Sequence, residues 1–103
     1  MIVALIPSVE AVDVNRFNRV IAYNVLEADD FDLDKPYRIL EALGKENGFE
    51  IVNPLENFRT VHANDKKLFL EGDPHFNKDG HELFAQQIGN YLKSSQDFRP
   101  PDM

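Results

Sequence analysis

Residues 2–6, Ile-Val-Ala-Leu-Ile, form an unbroken apolar run rich in β-branched side chains that stops at Pro7-Ser8. Such a run has no polar face, so it reads as a short strand covered on both sides, the situation of a parallel sheet. A parallel neighbour has to be reached by a crossover, and the chain supplies one. Asp34-Lys35-Pro36 puts proline in the first turn of a helix, Ile39, Leu40 and Leu43 follow at helical spacing, and Asn47-Gly48 offers a left-handed stop. The spacing predicts a helix over about residues 35–47. Phe49, Ile51 and Val52 come directly after it as a second short strand. Strand, helix and strand in this order make a right-handed βαβ unit.

The remaining segments are weaker in pattern. Phe17, Val20, Ile21, Tyr23 and Val25 fit a helical stripe loosely, and Glu27-Ala28-Asp29-Asp30 has loop composition. After Asn53-Pro54 a short turn of helix is expected through Phe58, then a polar loop from Thr60 to Asp65, then a brief extended run over Lys67-Leu68-Phe69-Leu70. The last helix carries the clearest pattern: Asn77 as N-cap, Asp79 at the positive end of the dipole, and one stripe of Leu83, Phe84, Ile88, Tyr91 and Leu92. The fold class is therefore α/β, with a parallel sheet of about two or three strands and about three or four helices, in effect half of a doubly wound sheet. Residues 1–93 are expected to form one partial domain, and residues 94–103, with Pro100-Pro101, a frayed tail.

With 103 residues, 43% of them apolar, the chain can build one ordinary core. A net charge of −7 and no basic cluster beyond Lys66-Lys67 leave no electrostatic footprint for phosphate backbones or anionic lipid. Nucleic acid and membrane surface are not expected partners. The absence of cysteine removes disulfides, thiolate metal sites and cysteine nucleophiles together, and leaves the compartment open. The opening apolar run is shorter than a signal-peptide core and has no basic leader.

Chemistry concentrates in Leu68-Phe69-Leu70-Glu71-Gly72-Asp73-Pro74-His75-Phe76-Asn77-Lys78-Asp79-Gly80-His81, which holds two of the three histidines. Pro74 drives Asp73 toward extended angles and fixes its own φ, so residues 73 and 75 can point the same way. A carboxylate on an imidazole N–H sets the tautomer, stabilises the imidazolium and leaves the other ring nitrogen free to take a proton from a hydroxyl. Two readings fit the pair: the base half of a catalytic triad, or turn residues ahead of the last helix. A metal site built from His75, His81, Asp73, Asp79 and His62 fits less well, because His75 and His81 stand six apart across a loop-to-helix boundary rather than four apart on one helix face. His81 is expected to be a partly buried helix residue near Phe76. The five carboxylates of Glu27–Asp34 lack the calcium-loop pattern and read as a solvated loop. No cofactor or metal is expected.

The string Asp-x-His-Phe-Asn-x-x-Gly-His followed by an amphipathic helix resembles the last sequence block of the SGNH hydrolases, the Gly-Asp-Ser-Leu esterase superfamily. Ile2 to Ser8 is similar to a strand and turn of the branch that handles O-acyl groups on polysaccharides. The stretch Asp30-Phe31-Asp32-Leu33-Asp34-Lys35-Pro36-Tyr37-Arg38-Ile39-Leu40 looks like that branch's helix start, and Phe49 to Leu55 looks like its penultimate strand. The resemblance covers most of residues 2–92. It implies a flavodoxin-like three-layer fold, acyl transfer on an ester or carbohydrate substrate, His75 as general base and Asp73 as its orienting acid. Gly80 and His81 would then be structural and Asn77 a cap.

Two departures stand beside it. The pair is spaced Asp-x-His where most of the superfamily has Asp-x-x-His, and the chain contains no Gly-Asp-Ser and no Gly-x-Ser-x-Gly. Its hydroxyl residues other than tyrosine are Ser8, Thr60, Ser94 and Ser95. Ser8 has no flanking glycine for a tight elbow, and Pro7 removes a nearby amide donor, so Ser8 is expected to cap the next segment rather than act as nucleophile. The resemblance thus implies the C-terminal half of an acyl-transfer domain whose serine lies outside this chain. The expected partners are that missing half-domain, or a second copy joined through the exposed sheet edge. The alternative is a non-catalytic module that survives through such binding.

Overall fold

A computed structural model describes residues 1–94; the expected tail lies outside the described residues except for Ser94, which ends the last helix. The fold is mixed α/β. Strands β1 (Ile2–Ala4) and β2 (Glu50–Val52) pair in parallel, with Val3 opposite Ile51, and the described residues also form five α-helices: α1 (Val9–Val12), α2 (Val14–Tyr23), α3 (Lys35–Asn47), α4 (Leu55–Ala63) and α5 (Lys78–Ser94). A single 3-10 turn at Ala28–Asp30 precedes α3.

The βαβ unit forms where the sequence placed it. Pro36 sits in the first turn of α3, and Gly48 ends the helix at φ 78°. The Phe49 N–H donates to the Gly44 carbonyl at 3.0 Å, which turns the chain directly into β2. The pairing extends one residue past β1 through Leu5 N–H to the Val52 carbonyl, 2.9 Å.

Four expectations need correction. The first strand is shorter than residues 2–6 and is not covered on both faces: Ala4 is exposed and Ile6 is 69% exposed, because β1 has a neighbour on one side only among the described residues. The described residues form five α-helices rather than three or four, since the loosely patterned segment after Ser8 folds into α1 and α2. Asp13 makes this possible by capping α2, its carboxylate accepting the Arg16 N–H at 3.1 Å. The polar loop expected from Thr60 to Asp65 is largely the continuation of α4 to Ala63. Leu55 and Phe58 carry its buried face and Val61 packs against the same core. The Thr60 hydroxyl is absorbed by the Glu56 carbonyl at 2.9 Å, one turn back. Finally, the sheet among the described residues has two strands and not a third, because the extended run at Lys67–Leu70 pairs only at Phe69, in one isolated antiparallel bridge to Phe76.

The core gathers Leu5, Val9 and Val12 from the first segment, Tyr37 from α3, Leu55 and Phe58 from α4, and Leu68 and Phe69 from the loop before α5. Phe58 is fully buried and lies 6.3 Å from the Phe69 ring and 5.2 Å from the Phe76 ring, centroid to centroid. Phe76 meets Phe84 of α5 at 5.5 Å. This aromatic series fastens the loop and the last helix to α4.

Gly80 is where the two approach most closely. A Cβ there would stand 2.1 Å from the Leu68 carbonyl oxygen, a backbone atom that cannot swing aside, whereas a Cβ at Gly89 in the same helix meets nothing within 4 Å. The two alanine substitutions therefore have opposite expected signs. Gly80→Ala should lower stability by about 2–3 kcal/mol through overpacking, and Gly89→Ala should raise it by up to about 1 kcal/mol through helix propensity. Urea unfolding of both variants measures the difference.

Candidate functional site

Residues 69–76 form a tight hairpin ahead of α5. The Leu70 N–H donates to the His75 carbonyl at 2.9 Å, the Asp73 N–H donates to the Leu70 carbonyl at 3.3 Å, and Gly72 takes the left-handed φ of 70° that the turn requires. Asn77 closes its base. The Asn77 N–H donates to the Leu68 carbonyl at 3.0 Å, while its side-chain oxygen accepts the Gly80 N–H at 2.8 Å as the N-terminal cap of α5.

Asp73 and His75 meet within this hairpin. One carboxylate oxygen, Oδ1, accepts the His75 backbone N–H at 2.8 Å and lies 2.5 Å from His75 Nδ1. Gripping residue 75 by backbone and ring together, it orients the imidazole with Nδ1 inward. Nε2 makes no hydrogen bond among the described residues, on a side chain that is 80% exposed. The arrangement can take a proton at Nε2 and place the resulting positive charge against a carboxylate. It also satisfies a local turn, as the two readings of the sequence required.

The other residues singled out from the sequence lie elsewhere. Ser8 caps α1, its Oγ accepting the Ala11 N–H at 3.3 Å and its own N–H donating to the Tyr37 hydroxyl at 2.9 Å; neither bond reaches His75. His81 contacts Phe76 edge-on at 5.5 Å but is exposed rather than partly buried, because Gly80, its neighbour, takes the inward position in that turn. Asp79 stands in the first turn of α5. His62 is on α4 with Nε2 3.6 Å from the Asp13 carboxylate, and its Nδ1 is buried without a hydrogen-bond partner among the described residues. No three His, Asp or Glu side chains gather to hold a metal among the described residues, and no helix there is long and apolar enough to cross a membrane.

One residue at this site had no signal in the sequence. Arg16 of α2 reaches the hairpin, donating from Nη1 to the Asp73 carbonyl at 3.0 Å and from Nη2 to the Leu70 carbonyl at 3.3 Å. The contact spans 57 residues, so neither spacing nor composition marks it. Beside it lies a cleft of about 410 Å³, lined among others by Asp13, Arg16, Arg19, His62, Lys66 and Phe69.

No protein-family profile, curated protein or solved structure matches this chain.

The hydrogen bonds to His75 give the site a pH dependence of definite sign. The His75 backbone N–H, and after it the imidazole, hold the Asp73 carboxyl below the usual carboxylate range. A depressed value in the folded chain means that the ionised carboxylate steadies the hairpin at neutral pH. That contribution is lost only as pH falls through the lowered value. A carbon-13 NMR titration of the Asp73 carboxyl should therefore show its midpoint below ~3.9, the value for unconstrained aspartate. A midpoint at or above that figure would mean the two hydrogen bonds are not formed in solution.

Proposed function

We propose that this chain is the C-terminal portion of an SGNH-like acyl-transfer domain with a flavodoxin-like sheet, in which Asp73 and His75 are the acid and base of a Ser-His-Asp triad. The observation that carries the reading is the 2.5 Å contact between Asp73 Oδ1 and His75 Nδ1 with Nε2 left free. The sequence block around it, the strand–helix–strand order and the absence of Gly-Asp-Ser from the chain support the assignment to a C-terminal half.

In this reading a serine from the missing half-domain attacks an ester carbonyl while His75 Nε2 takes its proton. Asp73 keeps the ring oriented and stabilises the imidazolium. The proton then passes to the leaving alcohol, and the acyl group moves from serine to water, as in an esterase, or to a sugar hydroxyl, as in an O-acyltransferase. The substrate class that goes with the resemblance is an ester on a saccharide or polysaccharide. The chain alone should be inactive, because the nucleophile and oxyanion donors that supply most of the barrier reduction are not in it.

A second reading is favoured by the apolar side chains left at the surface. Ile6, just past β1, whose other edge is unpaired among the described residues, is 69% exposed, and Ile39, Leu40 and Leu43 on α3 are 48%, 37% and 41% exposed. In this alternative the chain is a non-catalytic module that covers these groups against a second copy or another protein.

A fluorophosphonate should leave the intact mass of the chain unchanged; stoichiometric labelling would transfer the nucleophile role to Ser8 and end the half-domain reading. When the chain is co-expressed with an N-terminal half bearing Gly-Asp-Ser and the oxyanion donors, ester hydrolysis should appear. It should then fall by about a thousandfold or more in His75→Ala. Unchanged turnover would remove His75 from the base role.

The module reading predicts that sedimentation velocity of the isolated chain shows concentration-dependent association. A monodisperse species of 11.8 kDa across the concentration range counts against it.

A further inference from the structure

We propose that Arg16 is a positioning residue for the Asp73–His75 pair: its guanidinium clamps two carbonyls of the hairpin and so fixes the backbone from which Asp73 reaches the imidazole. The inference rests on the reading of this pair as a catalytic acid and base, and deepens it.

The outer part of the hairpin, beyond the Phe69 and Phe76 rings that pack on Phe58, needs a hold of its own. Its tip is solvated, with Leu70 45% exposed and the His75 side chain 80% exposed, and its cross-chain bonds between residues 70 and 75 join the loop only to itself. Among the described residues, Arg16 alone reaches residues 70–75 by hydrogen bond from another element. It does so at the two points that set the direction of Asp73. The Asp73 carbonyl accepts from Nη1, and the Leu70 carbonyl, which already receives the Asp73 N–H, accepts from Nη2. Asp73 is thus held on both sides of its Cα, by its own carbonyl and through the acceptor of its own N–H.

Arginine suits the task because a planar fork can span two carbonyls at once, which the single ammonium of lysine cannot do in the same way. The base of the side chain is also steady. The Arg16 backbone N–H is taken by the Asp13 cap at 3.1 Å, so the residue stands in the first turn of α2 rather than on a free loop.

The test needs no substrate. Hydrogen exchange and nitrogen-15 NMR of the full chain follow the Asp73 and His75 amides and the His75 ring N–H, with the α3 amides as an internal reference. In Arg16→Ala the two amides should exchange about tenfold faster, as expected for loss of hydrogen bonds from a charged donor. The Nδ1–H signal of His75 should broaden or vanish while the α3 amides keep their protection. Arg16→Lys should fall between, at about threefold, and Arg19→Ala, one helical turn along, should change neither signal.

Unaltered loop exchange and an unaltered ring signal in Arg16→Ala would overturn the proposal. If Arg16→Ala lost protection in α3 as well, Arg16→Lys would decide on the same signals: faster exchange confined to the hairpin supports the clamp, and no change refutes it. Failure of the clamp and failure of the catalytic reading are separable. Moved loop signals with hydrolysis indifferent to His75→Ala in the complemented domain would keep the clamp and discard the triad. Unmoved loop signals with hydrolysis lost in His75→Ala would do the reverse.

Discussion

The placement of the two limbs of the hairpin after α4 depends on Phe58. Its ring is fully buried and is shared between the Phe69 and Phe76 rings, so one side chain of α4 fixes both limbs of the hairpin that follows. Full burial of a phenylalanine contributes on the order of 2–3 kcal/mol, and ring pairs at these separations add a smaller geometric preference. The preference matters more than its size here, because it sets the register in which Phe69 and Phe76 stand opposite each other. Leu68, 1% exposed, and Gly80 below it then admit α5 at a single distance.

The first half of the chain is held by a different means. Arg59 of α4 donates to the Ala11 carbonyl at 2.8 Å and to the Asp34 carboxylate at 2.5 Å, tying α1, the start of α3 and α4 into one junction. Its pairing with the guanidinium keeps the Asp34 carboxyl below the ordinary range. The Asp34 side chain is 45% exposed, so solvent screens the pair and its worth lies in geometry more than in energy. A second ion pair, Arg38 with Asp32, lies in the open and steadies the loop into α3. In a chain of net charge −7, these arginines are engaged by carboxylates, and Arg59 also by a backbone carbonyl, rather than building a basic surface.

What was legible in the sequence was local. Pro36 and Gly48 mark the two ends of α3, and Asn77 marks the start of α5, because each acts on backbone within a turn of itself. The Asp73–His75 contact was legible for the same reason: two residues apart, with proline between them, they meet through local geometry. The end of α4 was not, since Thr60, His62 and Asn64 have loop composition. Two of them are nevertheless taken up within the helix, the Thr60 hydroxyl by the Glu56 carbonyl and the Asn64 amide by the Thr60 carbonyl, while His62 lies beside Asp13. The coverage of β1 is not legible, because an apolar run shows that burial is available, not that a neighbour is present to provide it. Arg16 is the extreme case, a contact whose two ends share no local pattern.

Arg16 also bears on where the pair sits in the sheet's geometry. The segment that leaves the carboxyl end of β1 becomes α1 and α2, and through Arg16 it touches the hairpin that carries Asp73 and His75. The carboxyl ends of parallel strands are where α/β folds assemble their sites. Under the acyl-transfer reading, the imidazole that is 80% exposed in this chain alone meets water wherever the missing half-domain leaves it uncovered, which weakens every electrostatic interaction it makes and leaves water as the default acceptor. Transfer to a sugar hydroxyl requires that water be kept from the acyl-serine while the sugar is admitted. Such exclusion has to come from whatever closes over the hairpin. Within that reading, the choice between esterase and transferase is therefore made by the covering surface, and the Asp73–His75 pair is equally competent for either.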